Sequence, residues 1–130
     1  MRTVPISLAF LVMLASCRKQ DDNGGVITGN AIVDGQVKHH QWVVPGCRVY
    51  IKSNCSVFPG RDTTLYQQSL TADNSGRIHT EHLANGTYCF YATGSDPNFG
   101  NVNVWGWNFI TISNKPGEVK SYELEIPVSE

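Results

Sequence analysis

The sequence predicts an all-β fold, a seven-stranded Greek-key-like β-sandwich, and three observations predict it. Apolar and polar residues alternate at period two in segment after segment, as strands with one buried face require. Clusters of Gly, Asn, Asp and Pro punctuate those segments at short, regular spacing. Beyond an apolar N-terminus no window shows a helical period, and the 130 residues include 12 Gly and 6 Pro, which favour turns over helices.

Each strand has its own signal. Ala31, Val33, Gly35 and Val37 share one parity and mark the first. Residues 47–52 form the second, with Cys47, Val49 and Ile51 facing one way and Arg48, Tyr50 and Lys52 the other. A third is expected over residues 66–72. Asp73-Asn74-Ser75-Gly76 then turns the chain, because Asn and Gly tolerate positive φ. Residues 77–82 form the fourth, with Ile78 inward. After the turn signal Asn85-Gly86, residues 87–93 form the fifth, with Tyr88, Phe90 and Ala92 on one face. Residues 105–112 form the sixth, apolar on both faces and therefore expected to be well covered. Tyr122, Leu124, Ile126 and Val128 alternate with polar residues in a half-buried seventh. No internal repeat is present.

The N-terminus is organised differently. Arg2 begins a short basic start, and residues 4–14 are almost wholly apolar. That stretch is too short for a bilayer, which needs ~20 residues, and it suits an export signal. Leu14-Ala15-Ser16-Cys17 comes next and resembles the lipobox of bacterial lipoproteins. The resemblance implies cleavage before Cys17, lipidation of its thiol, and a membrane partner through that lipid. Acyl chains add ~0.8 kcal/mol of affinity per buried CH₂. The expected organisation is a signal peptide over residues 1–16, a lipidated Cys and polar tether over 17–28, and the sandwich over 29–130. Asp21-Asp22 in the tether resembles the surface-export signal of Bacteroidota lipoproteins. A plain solvated linker is the alternative reading of that pair, and the implied location is the cell envelope, anchored at the outer membrane and either periplasmic or surface-exposed.

Charge excludes one class of partner. Ten basic and eleven acidic residues give a net charge of −1, with no basic stripe for nucleic acid.

The strand motifs have a familiar order: Gly35-Gln36-Val37, Pro45-Gly46-Cys47-Arg48-Val49-Tyr50-Ile51, Thr71-Ala72-Asp73-Asn74-Ser75-Gly76-Arg77, and Leu83-Ala84-Asn85-Gly86-Thr87-Tyr88. Over residues 29–128 this resembles the carboxypeptidase regulatory-like domain, a transthyretin-type (prealbumin-like) β-sandwich. Val37-Lys38-His39-His40 and Tyr50-Ile51-Lys52, with Phe58-Pro59-Gly60 after them, are similar to segments of small Bacteroidota lipoproteins. The resemblance implies an accessory fold without an activity, since fold alone does not define function. It also implies that the second and fifth strands are antiparallel neighbours, which brings Cys55 near Cys89. A straight continuation of the second strand points Cys55 inward, so that pairing needs a bend at Ser53-Asn54. Three free thiols are the rival state. Cys47 reads as a small buried hydrophobe.

Candidate sites are sparse. His39 and His40 are adjacent and so expected on opposite strand faces, and His79 and His82 also differ in parity. No zinc-type spacing links them to cysteines, so no metal and no cofactor are expected. Asp73-Asn74-Ser75-Gly76 lacks the later ligands of an EF-hand. Ser95-Asp96 and the scattered histidines do not make a nucleophile elbow, so no enzyme is expected. The aromatics stand out: Trp105 and Trp107 lie on one side of a strand, beside a loop containing Asp96 and Phe99. Together these four form a candidate ligand platform for a glycan. The alternative is that the indoles are core. The expected role is a non-enzymatic, lipid-anchored envelope protein presenting a sandwich to a protein or glycan partner. Strand addition at an edge is the third reading.

Overall fold

The computed structural model describes residues 29–130. The expected signal peptide, Cys17 and the expected tether lie outside the described residues. Among the described residues eight strands form two sheets, one more strand than the sequence pattern predicts.

β1 (Ala31–His39) is the spine of the first sheet. Its odd-numbered residues are buried and its even-numbered ones half-exposed, so one face meets the core and the other meets water. Along its whole length it pairs in parallel with β8 (Lys120–Val128). On the other edge its first part pairs antiparallel with β5 (Arg77–Leu83). Its end folds back onto β2 (Trp42–Val43), with His39 opposite Trp42. This two-residue strand is the unforeseen one. The run 39–43 has too few residues to show a period, and its turn depends on His40, which takes φ 54°.

The second sheet has the order β4 (Gln68–Thr71), β3 (Arg48–Ser53), β6 (Gly86–Asp96), β7 (Val102–Ile112). All three pairings are antiparallel. β4 starts two residues later than the sequence pattern implies. Tyr66 instead comes directly after a short 3-10 turn over Thr63–Leu65 and is buried.

The inner faces make one core that includes Val33, Val49, Ile51, Phe90, Ile112 and Ile126. Each such side chain contributes roughly 1.5–3 kcal/mol on full burial. Gly35 is needed within it, because a Cβ there would press on the Ile78 side chain. Cys47 is fully buried against Gly94, as a small hydrophobe would be. Burial, then the negative charge of Asp96, push its thiol up to about 11, so it is not a thiolate at neutral pH.

One long side of the sandwich is sewn shut by β7 and β8. Trp105 and Ser129 exchange both backbone hydrogen bonds, each 2.9 Å. Two residues on, Pro127 has no N–H to continue the ladder. The Asn108 side chain takes over: its Nδ2 donates to the Glu125 carbonyl at 2.8 Å, and its Oδ1 accepts from the Phe109 N–H at 2.8 Å. Between these rungs Gly106 lets the backbones touch, since a Cβ would collide with the Pro127 carbonyl.

Candidate functional site

The most distinctive surface is the outer face of the second sheet. Tyr50 on β3, Tyr91 on β6, and Trp105, Trp107 and Phe109 on β7 all point away from the core. Over this face lies the segment 54–67, which contributes Phe58, Arg61 and Tyr66. Phe58 stacks on both indoles, with ring centroids 5.6 Å from each and interplanar angles of 25° and 22°. Tyr66 meets Tyr50 and Tyr91 at 5.9 and 5.7 Å, and its hydroxyl donates to the Gly60 carbonyl. Burial, then the neighbouring Tyr91, push the Tyr66 hydroxyl up to about 12. Edge and stacked contacts of this kind add about 0.5–1.5 kcal/mol per pair beyond burial. The segment therefore has a small aromatic core of its own.

It is also covalently pinned. Cys55 and Cys89 form a disulfide, with Cα atoms 5.3 Å apart. The parity conflict at Cys55 is resolved by a bend. Asn54 takes φ 50°, and the Cys55 N–H donates to the Thr87 carbonyl, so Cys55 reaches the outer face where Cys89 lies.

Coverage of β7 is incomplete, which corrects the expectation of a well-covered sixth strand. Val104 and Ile112 are buried on its inner face, but Trp105 and Trp107 are only half-buried and Phe109 is 46% exposed. The segment 54–67 reaches across as far as Phe58 and stops there. Trp107 stacks on Phe109 at 6.2 Å, leaving an aromatic ladder open to water along the strand. Two depressions flank Trp105. One, of about 300 Å³, is lined by Trp105, Gly106, Trp107 and residues 127–129. The other, of about 270 Å³, is lined by Arg61, Thr93, Gly94, Ser95, Asn103 and Trp105.

The four-residue platform expected from sequence is thus divided. Trp105 and Trp107 do share a face, with Phe58 between them. Asp96 is fully buried and cannot belong to an exposed platform. Its parity places it inward on β6, where its Oδ2 bonds His39 Nδ1 at 2.8 Å and its Oδ1 accepts from the Asn98 backbone and side chain. Phe99 belongs to the same end of the sandwich, 4.9 Å from the His39 ring and 5.5 Å from that of His40. The Pro97–Phe99 turn at the β6–β7 tip sets it against these two histidines, and it stays exposed there.

The histidines also depart from simple parity. His40, at positive φ, lays its ring 4.3 Å from His39, so the two are in contact although one is buried and the other exposed. His82, at φ 61°, makes a bulge that turns it to the same outer face as His79. There His79 bonds Asp34 through Nδ1 and Glu81 through Nε2, while Glu81 also approaches His82 at 3.7 Å. Donating through both nitrogens requires the imidazolium, and the bonds to Glu81 and then Asp34 raise its pKa. Among the described residues no group of three or more His, Cys, Asp or Glu is arranged to hold a metal ion.

The His39–Asp96 pair has the geometry of two members of a catalytic triad, but no hydroxyl or thiol nucleophile bonds His39 among the described residues. The pair ties β1 to the β6–β7 tip.

No protein-family model matches the chain, and no curated protein sequence matches it. Among solved structures, it is similar to the major pilin subunit of Bacillus cereus, with a TM-score of 0.50 and 14% sequence identity over 80% of this chain. The match spans 30% of that pilin subunit. The likeness is one of fold: the chain is a two-sheet β-sandwich of a kind also used in that subunit.

Proposed function

We propose that this protein is a non-enzymatic, lipid-anchored envelope protein of the outer membrane that displays its sandwich as a binding module, with the aromatic outer face of the second sheet as the contact surface. The observation that carries the reading is the aromatic ladder of Trp105, Trp107 and Phe109. It is held rigid from one side by a stapled segment yet left open on the other. Aromatic surface left outside a core of this size calls for an explanation, and a partner supplies one. The disulfide supports an exported, oxidising location, in keeping with the lipobox-like Leu14-Ala15-Ser16-Cys17. The resemblance to carboxypeptidase regulatory-like domains of Bacteroidota lipoproteins supports an accessory role over a catalytic one. Strand addition at β7 has less support, because Ser129 already occupies its edge at Trp105 and Pro127 interrupts the ladder beyond.

Metabolic labelling with a fatty acid tests the anchor. The wild-type protein is expected to carry label and sediment with outer membranes. Cys17→Ser is expected to lose the label and remain uncleaved. Undiminished labelling of that variant overturns the assignment.

A further inference from the structure

Arg61 is an unusual cation for a surface residue, because it is fixed without being neutralised. Its guanidinium lies 4.8 Å over the Trp105 ring, and its Nε donates to the buried Tyr91 hydroxyl at 3.2 Å. Two independent contacts thus hold the group in one place. Among the described residues, no carboxylate lies within ion-pair distance of it, and none of their atoms accepts from its two terminal nitrogens. The adjacent Asp62 is engaged elsewhere: its carboxylate accepts from both the backbone N–H and the hydroxyl of Thr64. A guanidinium presents paired N–H groups that match a carboxylate in bidentate fashion. Holding it in place beforehand lowers the entropy lost when such a ligand binds.

The surroundings define the rest of the ligand. The depression containing Arg61 is lined by the hydroxyl-bearing Thr93 and Ser95 and by the amide of Asn103. Immediately across Trp105, the second depression is lined by both indoles and by residues 127–129. One side supplies a cation, hydroxyls and an amide; the other supplies flat apolar rings.

From this juxtaposition we propose that Arg61, Trp105 and Trp107 form a binding site for an acidic polysaccharide, with a uronate carboxylate on Arg61 and a neighbouring pyranose face against the indoles. The inference rests on the reading of this face as the contact surface and adds the ligand class. A sugar ring carries both features the site asks for, an apolar face and equatorial hydroxyls, and only an acidic one also offers a carboxylate to the unneutralised guanidinium. An extended acidic peptide fits less well. A peptide that binds by adding a strand is blocked at Trp105, where both backbone groups are already taken by Ser129.

Purified full-length protein in detergent can be titrated with three uronate oligosaccharides: oligogalacturonate, oligomannuronate and hyaluronan fragments. Each is compared with its methyl ester, which keeps the ring and removes the charge. At least one is expected to bind, with its ester weaker by roughly ten- to a hundredfold. Arg61→Gln is expected to lose the same factor while still unfolding cooperatively at a slightly lower melting temperature, and Arg61→Lys to recover only part of the binding. Trp107→Phe provides a second, milder probe and is expected to weaken acid and ester alike. Ester and acid binding equally, or Arg61→Gln binding as wild type does, overturns the acidic ligand while leaving an aromatic contact surface standing. No binding by any of the three acids or their esters overturns the proposal together with a glycan role for this face. Tight binding of an acidic peptide in place of the sugars overturns it in favour of a protein partner.

Discussion

At the scale of single residues, Asp96 shows how position along a strand decides role. In sequence it sits in a polar loop beside Phe99 and reads as surface. In the fold it is the last residue of β6, inward and fully buried. Burial alone would raise its pKa, but the bonds from His39 and from the Asn98 backbone and side chain outweigh that and hold the carboxyl below its ordinary range. A carboxyl depressed on folding stabilises the protein above its unfolded pKa of about 3.9, and that contribution is lost as pH falls through the lower folded value. Asp96→Ala leaves the buried His39 Nδ1 without its partner, and an unsatisfied buried polar group costs about 1–3 kcal/mol. Urea unfolding should show that deficit at pH 7 and show it narrowing below about pH 4, where the wild type gives up the same interaction. A deficit that is constant down to about pH 2 rules out the ionised Asp96 carboxylate as its cause. His79 has the opposite sign. Its raised pKa means that its stabilising contribution is complete below the unfolded value of about 6.5 and fades as pH rises through the folded one.

At the scale of elements, period-two alternation made most strands legible, because a half-buried strand must write its two faces into alternate residues. Three features broke that rule, each through backbone geometry rather than side-chain chemistry. His40, Asn54 and His82 take positive φ, and each shifts the parity of the residues C-terminal to it. None of the three is Gly; the tolerance of Asn for positive φ fitted the bend needed at Asn54, but the weaker tolerance of His left His40 and His82 unmarked. The aromatic face was half legible: Trp105 and Trp107 announced it, but nothing in the spacing of Phe58 or Arg61 said they would cross the sheet to meet them. The segment 54–67 depends on its staple for this. The cysteines it joins are 34 residues apart, and closing a loop of that order stabilises by about 2–4 kcal/mol in the chain-entropy account. Cys55→Ser with Cys89→Ser should lower stability by that amount. It should also raise the accessibility of Trp105 and Trp107 to an aqueous fluorescence quencher, because Phe58 is then held by stacking alone. Thiol titration of the denatured, unreduced fragment 26–130 should find one reactive thiol, Cys47, and three after reduction. Three before reduction would remove the staple from the account.

At the scale of the whole molecule, β1 and the β7–β8 seam organise everything else. β1 runs from the pole where the chain enters the sandwich to the pole where His39 meets Asp96. β8 lies parallel to it and carries the sandwich's last contacts to β7. That arrangement makes residues 120–130 structural. Leu124, Ile126 and Val128 are buried, and Glu125 and Ser129 hold Asn108 and Trp105. Two fragments separate this view from one in which β8 is an accessory. Residues 26–130 contain both sheets and the seam, and should unfold in one cooperative transition with a β-type circular dichroism spectrum. Residues 26–119 lose three buried side chains, at roughly 1.5–3 kcal/mol each, and leave one edge of β1 unpaired through the middle of the sheet. Since small domains hold only about 5–15 kcal/mol in total, the shorter fragment should lack a cooperative transition and expose apolar surface to a hydrophobic dye. If it instead melts like the longer one, β8 is dispensable, and the closed side of the sandwich is not what keeps the aromatic face in place.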